Sequence, residues 1–310
     1  MIVSGGEALV DLVPAESDAT LLAPRLGGGP YNVALAAGRL DVPTAFLSRL
    51  STDRFGDALL ARLESSGVDT SLVQRGSEPT TLAVVALDGT GAARYSFYTE
   101  GTADRLVADP GPLPEATTVL SLGTLGMVLE PGAGAYETVL HREAARGVLT
   151  ALDPNIRADM IDDPDAYRRR FASWLPSVRL LKVSDDDAAW LAGGAPAEEA
   201  AAEWIAAGVD AVVLTRGGAG LSVLTAAGEV ASAPAADVRV VDTIGAGDTV
   251  HGALLAWLVR QEVSRVSELT PDGWSKALAF AARAAGVTVS RSGAEPPTSE
   301  ELTHDQNASV

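Results

Sequence analysis

The chain has 310 residues, contains no cysteine and is 47% hydrophobic, so it can bury a large core as one or two domains. The absence of cysteine excludes disulfides, thiolate metal sites and a cysteine nucleophile, and three scattered histidines argue against a multi-histidine metal centre. The formal net charge is −18, and the longest basic run is Arg168–Arg170, which argues against nucleic-acid binding.

Nothing in the sequence predicts a membrane or secretory segment. No apolar run reaches the roughly 18–20 residues of a membrane span. The first residues, from Met1 to Val13, lack the positive region and cleavage site of a signal peptide. We therefore expect a cytoplasmic protein.

Strand-like and helix-like segments alternate along the chain, and several strands are continuously apolar, which is typical of parallel strands covered on both faces. The predicted strands are Ile2–Val3 continuing into Ala8–Val13, Thr44–Leu50, Leu82–Leu87, Arg94–Tyr98, Val119–Leu122, Val148–Leu152, Leu180–Val183, Ala211–Thr215, Leu221–Leu224 and Glu229–Ala231. The predicted helices are Tyr31–Leu40, Phe55–Ser66, Gly134–Gly147, Asp165–Leu175, Asp185–Leu191, Ala197–Ala207, Gly247–Arg260 and Gly273–Ser290. This order predicts an α/β fold with a doubly wound, mainly parallel sheet flanked by helices, in which ligands bind at the carboxyl ends of the strands.

Two segments interrupt this alternation. Asp88–Gly91 separates two β-rich runs and contains the Asp-Gly pair of a hairpin turn. The stretch Leu9–Leu26 looks extended or irregular. We expect residues of about 10–26 and 80–100 to form a small antiparallel β lid, although an edge hairpin of the main sheet is an alternative. The rest of 1–310 is predicted to be one domain, with a frayed tail at 295–310.

The segment from Asp242 to Asp248, DTIGAGD, precedes an apolar helix. Small residues at a helix N-terminus leave backbone N–H groups open, and the helix dipole adds positive potential, so this segment predicts an anion site. A carboxylate beside such a site could take a proton from a hydroxyl group. The alternative is an ordinary acidic residue in a first helical turn.

Three motifs together resemble the ribokinase-like (PfkB) family of carbohydrate kinases, in the family's order and spacing. They are GEALVD at Gly6–Asp11, GGGPYNVA at Gly27–Ala34, and DTIGAGD at Asp242–Asp248. The resemblance covers nearly the whole chain and implies a ribokinase-like fold and ATP-dependent phosphorylation of a primary sugar hydroxyl.

The resemblance also implies roles for individual residues. Asp248 would be the catalytic base. The anion hole would be formed by the backbone of Gly245, Ala246 and Gly247. The sugar hydroxyls would be held by Asp11, Gly28 and Asn32.

A further glycine-rich segment, TRGGAG at Thr215–Gly220, resembles the family's nucleotide segment, although a simple β-turn is an alternative. Lysine occurs only at Lys182 and Lys276, and Lys182 ends a predicted buried strand, where it could bind nucleotide phosphates or be solvated. The residues implied to contact ATP are Lys182, Thr215, Gly217, Gly220 and Thr243.

Two cation sites follow from the resemblance. Main-chain groups of Asp242, Ile244 and Gly293 could bind K⁺. Ser184 and Asp187 replace the usual Asn and Glu of the family's Mg²⁺ element, where they could hold Mg²⁺ through water. A helix N-cap is the alternative interpretation of that pair.

The substrate is less defined. YSFYTEGTAD, from Tyr95 to Asp104, resembles fructokinase-like members, and DPNIR, from Asp153 to Arg157, is shared with 2-keto-3-deoxygluconate kinases. Arg94 and Arg157 could bind the substrate, and Tyr31 and Tyr98 could stack on a sugar or pack in the core or lid. Fructose is the substrate that we expect, with 2-keto-3-deoxygluconate kinase or ribokinase activity as the alternatives on this scaffold. A non-catalytic sugar-binding regulator is the alternative of another class. We expect sugar and ATP as the only ligands besides metal ions, and a homodimer formed through the lid.

Overall fold

The computed structural model describes residues 1–15, 18–87 and 93–307, without the side chains of 18–20, 86–87, 93–94 and 304–307. In chain order the elements are β1 (Ile2–Gly5), β2 (Leu9–Ala15), β3 (Asp18–Gly27), α1 (Gly29–Arg39), β4 (Thr44–Ser51), α2 (Arg54–Ser65), β5 (Val68–Asp69), β6 (Val73–Gly76), β7 (Thr81–Leu87), β8 (Ala93–Tyr98), β9 (Val119–Gly123), α3 (Gly132–Ala145), β10 (Leu149–Asp153), α4 (Pro164–Trp174), β11 (Leu180–Ser184), α5 (Asp185–Leu191), α6 (Ala197–Ala206), β12 (Ala211–Thr215), β13 (Leu221–Thr225), β14 (Gly228–Ala233), α7 (Ala246–Arg260), α8 (Pro271–Val289) and α9 (Ser299–Asn307).

The main sheet has ten strands in the order β14-β13-β12-β11-β10-β9-β1-β4-β5, with β6 also paired to β4. The pairs from β12 through β11, β10, β9 and β1 to β4 are parallel, and β13 and β14 add an antiparallel edge. Successive residues of β11 pack into different hydrophobic cores on the two faces of the sheet. Leu180 belongs to one core and Leu181 to the other. Both faces are therefore buried, and the predicted doubly wound sheet is confirmed.

A second sheet has four strands in the order β3-β2-β7-β8. Its outer pairs, β2–β3 and β7–β8, are antiparallel as predicted, while the central pair β2–β7 is parallel. The central pair is parallel because β2 and β7 both follow strands of the main sheet that run in the same direction. The stretch Leu9–Leu26 is two paired strands, and the turn predicted at Asp88–Gly91 lies outside the described residues.

The C-terminal segment differs from the prediction. Residues 295–310 were expected to fray, but α9 occupies Ser299–Asn307. An ion pair of 2.5 Å between Arg291 and Glu301 joins this helix to the loop that follows α8. The two short strands β5 and β6 were also not predicted. Within the part of the chain that the structure describes, no helix has both the length and the apolar character to cross a bilayer.

Helices α1 and α7 pack closely where they carry the functional motifs. A Cβ added to Gly252 of α7 would lie 2.7 Å from Ala36 Cβ and 2.8 Å from the Val33 carbonyl oxygen of α1. Only glycine permits such an approach. The contact fixes the two helix N-termini side by side at the carboxyl edge of the sheet.

Candidate active site

The N-terminal turns of α1 and α7 meet through a side-chain hydrogen bond. Asn32 Nδ2 donates to Asp248 Oδ2 at 2.8 Å, and the two residues are 5% and 8% exposed. The other oxygen of the amide, Asn32 Oδ1, is buried without a hydrogen-bond partner in the described part of the chain. Buried acceptors of this kind are normally satisfied, so Asn32 Oδ1 is available to a ligand hydroxyl group.

A cavity of about 300 Å³ lies in front of this pair. Its lining includes most of the predicted sugar, anion and phosphate residues, namely Asp11, Gly28, Asn32, Arg157, Lys182, Thr243, Gly245, Gly247 and Asp248, together with Ile244, which was predicted for K⁺. Gly28 has a φ of +116°, and a Cβ there would lie 2.6 Å from the Glu7 carbonyl oxygen, so this position requires glycine. The volume and the polar lining suit one small polyhydroxylated molecule.

Burial shifts the acids of the cavity towards neutral pH. Desolvation raises the pKa of Asp248 to about 6, while the hydrogen bond from Asn32 and the positive charge of Lys182 oppose the shift. Desolvation also raises the pKa of Asp11 to about 6, opposed by the charge of Arg157. A carboxylate with such a pKa is a stronger base than an exposed aspartate and is still ionised at pH 7.

The predicted anion hole begins at Gly245, which has a φ of +74° and precedes α7. The N–H of Ala246 donates to the Thr243 carbonyl oxygen at 3.2 Å, so it is engaged. The N–H groups of Gly245 and Gly247 make no hydrogen bond with any residue that the structure describes. Two of the three predicted donors are therefore open for an anion.

Lys182 adds a fixed positive charge beside this helix N-terminus. A Cβ on Gly247 would lie 3.1 Å from Lys182 Nζ, and Nζ donates to Asp153 Oδ2 at 2.8 Å. Burial lowers the pKa of Lys182, but the charge of Asp153 outweighs this effect, so the pKa lies above its ordinary value. Lys182 is 4% exposed, which excludes the alternative of a solvated strand-end lysine.

A second pocket of about 260 Å³ lies on the other side of the α7 N-terminus. It contains predicted nucleotide residues, namely Thr215, Gly217, Gly220 and Thr243, together with Ala246 and Gly247. Apolar side chains including Val240, Val250 and Val289 form much of the remaining lining, which suits a planar base. Thr243 and Gly247 line both cavities, so the two cavities meet at the predicted anion hole.

The predicted Mg²⁺ pair is arranged as a helix cap. The Ser184 hydroxyl donates to Asp187 Oδ2 at 2.7 Å and accepts the Asp187 N–H at 3.0 Å, which forms a capping box at the start of α5. Asp187 Oδ1 accepts the N–H of Ile156 at 2.8 Å. Neither residue lines the sugar cavity. Both carboxylate oxygens of Asp187 thus serve the cap and the Ile156 loop, which supports the N-cap alternative over direct metal coordination, and contact with Mg²⁺ through water stays a prediction.

The predicted K⁺ residues do come together. The carboxylate of Asp242 accepts the N–H of Ile244 at 3.0 Å and the N–H of Gly293 at 2.8 Å. These residues line a pocket of about 200 Å³ beside Asp11. Oxygen ligands from carboxylate and main-chain carbonyl groups suit a hard cation. Across the described residues, no group of three or more histidine, cysteine or acidic residues could hold a metal ion.

The aromatic predictions need correction. Tyr98 is 62% exposed and does not line the cavity, whereas Tyr95 and Phe97 on the same strand do. Alternate residues of a strand face opposite sides, so the prediction was wrong by one position. Tyr31 is fully buried, and its hydroxyl donates to the Leu59 carbonyl oxygen at 3.1 Å, so it belongs to the core. The side chain of Arg94 lies outside the described part of the structure.

Glu7 is a site residue for which the sequence predicted no role. Its Oε1 accepts the N–H of Gly29 at 3.0 Å, and its Oε2 accepts the N–H of Gly126 at 3.0 Å. The side chain is buried, and desolvation raises its pKa to about 8 against the effect of these hydrogen bonds. Glu7 thus joins two walls of the sugar cavity. An acidic residue inside an apolar stretch, four positions before the predicted Asp11, is the signal that could have identified it.

Comparison with known proteins agrees with this geometry. The chain matches the pfkB family carbohydrate kinases over residues 1–301. It is 39% identical over 264 residues to a fructokinase of Rhizobium leguminosarum bv. trifolii, covering 83% of this chain and 79% of the relative. The structure of a fructokinase from Xylella fastidiosa with bound ATP superposes with a TM-score of 0.90 at 26% identity, covering 100% of this chain and 99% of that one.

A third similar protein acts on a different substrate. The structure of aminoimidazole riboside kinase from Salmonella enterica, complexed with aminoimidazole riboside and an ATP analogue, superposes with a TM-score of 0.82 at 25% identity, with 98% of each chain covered. These matches confirm the ribokinase-like fold. The chain therefore belongs to the pfkB family of carbohydrate kinases, and the predicted class of enzyme, an ATP-dependent carbohydrate kinase, is confirmed.

Proposed function

We propose that this enzyme transfers the terminal phosphoryl group of ATP to a primary hydroxyl group of fructose. The observation that carries the proposal is the position of Asp248. It is a buried carboxylate with raised pKa, bonded to Asn32 at 2.8 Å, and it lies where a polar cavity meets a more apolar pocket. An acceptor in the first cavity and a nucleotide in the second would meet at Gly247.

The same residues suggest how the transfer proceeds. Asp11, Gly28 and Asn32 hold the sugar, and Asp248 removes the proton of the acceptor hydroxyl group. The hydroxyl oxygen forms a bond to the γ-phosphorus while the bond from that phosphorus to the β–γ bridging oxygen breaks, and ADP leaves. The open N–H groups of Gly245 and Gly247 and the ammonium of Lys182 stabilise the developing negative charge.

Fructose is supported by the relatives and by the size of the cavity, which at about 300 Å³ suits a single hexose. Arg157 bears on the keto-acid alternative, because a carboxylate substrate needs a guanidinium that is free to form paired bonds. Among the described residues, Arg157 is bonded only through NH1, which donates to Asn155 Oδ1 at 2.8 Å, to the Asn155 carbonyl oxygen at 3.0 Å and to the Ile156 carbonyl oxygen at 3.2 Å. Its Nε and NH2 groups are left for a ligand, so 2-keto-3-deoxygluconate stays the alternative substrate, and fructose is favoured by the relatives.

The test is ADP release with ATP and a panel of fructose, ribose, 2-keto-3-deoxygluconate and aminoimidazole riboside. We expect fructose to give the highest kcat/KM. Asp248→Asn should lower kcat by several orders of magnitude and leave sugar binding intact, while the exposed control Asp162→Asn should behave as wild type. Near-normal turnover by Asp248→Asn would overturn the mechanism. Sugar binding without ADP release from any substrate would favour the regulator.

The proposal also includes two cations and a second copy of the chain. Mg²⁺ would enter with the phosphates of ATP and neutralise part of their charge. K⁺ would occupy the loop of Asp242, Ile244 and Gly293.

The large exposed apolar side chains of the lid, at Leu21, Leu22 and Tyr98, support a homodimer formed through the lid. Light scattering of wild type and Tyr98→Ser tests the dimer, and the cytoplasmic location stays a prediction.

A further inference from the structure

The loop between α8 and α9 forms one wall of the predicted anion hole. Its residue Ala294 is buried and packs against Gly245, since a Cβ added to Gly245 would lie 2.6 Å from Ala294 Cβ and 3.1 Å from Ala294 Cα. Gly245 directly precedes α7, and its N–H and that of Gly247 are the two open donors of the hole. The position of Ala294 therefore limits the directions in which these N–H groups can point.

This loop belongs to no helix or strand, so a tight turn and side-chain contacts must hold it. The N–H of Glu295 donates to the Gly293 carbonyl oxygen at 2.9 Å, which closes a three-residue turn with Ala294 at its centre. On one side of the turn, the carboxylate of Asp242 accepts the N–H of Gly293 at 2.8 Å. Asp242 thus fixes the first residue of the turn, and the other side needs a second anchor.

Two arginines from different helices supply that second anchor. Arg62, in the last turn of α2, donates through NH2 to the Ala294 carbonyl oxygen at 2.8 Å and to Glu295 Oε1 at 2.7 Å. Arg39, the last residue of α1, donates through NH1 to Glu295 Oε2 at 2.9 Å and to the Pro296 carbonyl oxygen at 2.9 Å. Each arginine therefore binds the Glu295 carboxylate and the main chain of the loop at the same time.

These ion pairs matter more for geometry than for stability. The side chains of Arg39, Arg62 and Glu295 are 22%, 19% and 40% exposed. Pairs with such exposure add little to the free energy of unfolding, because water screens the charges. Charge-assisted bonds to both oxygens nevertheless define where the carboxylate lies. Loss of the carboxylate would also leave two neighbouring guanidinium charges that repel each other.

Helix α1 joins this anchor to the proposed base. Its first turn carries Asn32, which is bonded to Asp248, and its last residue is Arg39, which is bonded to Glu295. One helix therefore contacts both the group that would accept the proton and the loop beside the anion hole.

We propose that Glu295 is a positioning residue for phosphoryl transfer, which keeps Ala294 against Gly245 and so sets the direction of the open N–H groups. The inference rests on the proposed function, because those N–H groups must face the transferred phosphoryl group. Glu295 lines neither the sugar cavity nor the nucleotide pocket. Its effect therefore falls on the transition state, where charge develops at the anion hole, and not on the binding of either substrate.

The test compares two matched losses of charge. Glu295→Gln keeps the length of the side chain, removes its charge and leaves one acceptor oxygen for two arginines. We expect kcat at saturating ATP and sugar to fall about tenfold, with both KM values within about twofold of wild type and little change in melting temperature.

Asp109→Asn is the control, because it breaks an ion pair of similar exposure away from the site. Asp109 accepts from Arg142 NH1 on both oxygens, at 2.9 and 2.8 Å, and the two side chains are 37% and 26% exposed. Asp109 lines neither the sugar cavity nor the nucleotide pocket. Asp109→Asn should leave every kinetic constant unchanged.

Ionic strength separates positioning from a general loss of stability. Salt screens partly exposed charges, so kcat of wild type should fall between about 0.1 and 1 M tetramethylammonium chloride. The fall should be smaller in Glu295→Gln, in which the network is already broken. Arg62→Met should lower kcat less in the Glu295→Gln background than in wild type, because both changes remove the same contact. If Glu295→Gln does not fold, Arg62→Met carries the same comparison.

Three results would overturn the inference. They are an unchanged kcat in the folded variant, an effect confined to the KM of ATP or sugar, and a fall in kcat that only matches a fall in the folded fraction. A wild type that phosphorylates no sugar of the panel would overturn the proposed function, whereas unchanged kcat in an active variant would overturn this inference alone.

Discussion

Asn32 Nδ2 and Asp248 Oδ2 lie 2.8 Å apart although their residues are 216 positions apart in the chain. One belongs to the first helix and the other to a helix near the C-terminus, and the close contact at Gly252 holds those helices together. The bond occupies Oδ2 and leaves Oδ1 directed to the space beside Gly29. The proposed base is thus oriented before any substrate binds, which lowers the entropy cost of reaching the reactive geometry.

The first prediction concerns the pH dependence of turnover. Burial raises the pKa of Asp248 to about 6, and only the ionised carboxylate can accept a proton. We expect kcat/KM to fall about tenfold per pH unit below pH 6. Asn32→Leu removes a donor that favours the ionised form, so the acid limb should move to higher pH. Rates at constant ionic strength between pH 4.5 and 9 measure this, and an acid limb that stays near pH 4 would contradict it.

The second prediction uses the two lysines of the chain. Lys182→Met should lower kcat about 10²–10³-fold, because it removes a fixed charge beside the anion hole. Lys276→Met, which removes an exposed partner of Asp272, is the matched control and should leave kcat unchanged. Steady-state kinetics with fructose and ATP measure both variants.

A second variant separates catalysis from folding. Lys182→Met leaves Asp153 buried and uncompensated, which is expected to cost about 3–5 kcal/mol of stability. Lys182→Met with Asp153→Asn should recover much of the melting temperature while kcat stays low. Recovery of kcat together with stability would mean that Lys182 acts only in folding.

The third prediction concerns Glu7, whose carboxyl group joins Gly29 and Gly126. Glu7→Gln replaces one acceptor oxygen by an N–H₂ group that faces a backbone N–H, so one wall of the cavity loses its tether. We expect the KM for the sugar to rise about tenfold. Glu64→Gln on the exposed face of α2 is the control. An unchanged KM with a lower melting temperature would limit Glu7 to a structural role.

The same residue predicts a pH effect on stability. The pKa of Glu7 is raised in the folded protein from 4.5 to about 8, so its contribution is complete below pH 4.5 and is lost as pH rises through 8. The free energy of unfolding of wild type should therefore fall between about pH 4.5 and 8, and the fall should be smaller in Glu7→Gln. Denaturant unfolding at each pH measures the difference, and parallel pH curves for the two proteins would contradict it.

The fourth prediction concerns the capping box of Ser184 and Asp187. Asp187→Ala should lower stability by about 1 kcal/mol or more through loss of the cap, with little change in the Mg²⁺ concentration that gives half-maximal rate. Asp163→Ala is the matched control, because Asp163 caps α4 by accepting the N–H of Ala166. A large increase in the Mg²⁺ requirement, specific to Asp187→Ala and reversed in Asp187→Glu, would restore the metal role.

Local motifs were the most predictable part of this site. The segment Asp242–Asp248 carries its own signals, namely small residues before an apolar helix, and the structure opens α7 at Ala246, one residue from the prediction. Tyr98 failed because a shift of one position in a strand reverses the face that a side chain occupies. The burial of Lys182 depends on neighbouring strands, and the contacts of Glu7 with Gly29 and Gly126 depend on loops that the fold brings together. Neither can be inferred from residue type.

The parallel pairing of β2 with β7 joins two distant segments of the chain, β2–β3 and β7–β8, into one sheet. Asp11 lies on the first segment, and Tyr95 and Phe97 lie on the second. Neither segment can therefore move towards the main sheet without the other. A sugar held by Asp11 would draw the two aromatic rings over itself in the same motion. Occupancy by the acceptor would then be coupled to exclusion of water, and ATP would be shielded from hydrolysis only when a sugar is present to receive the phosphoryl group.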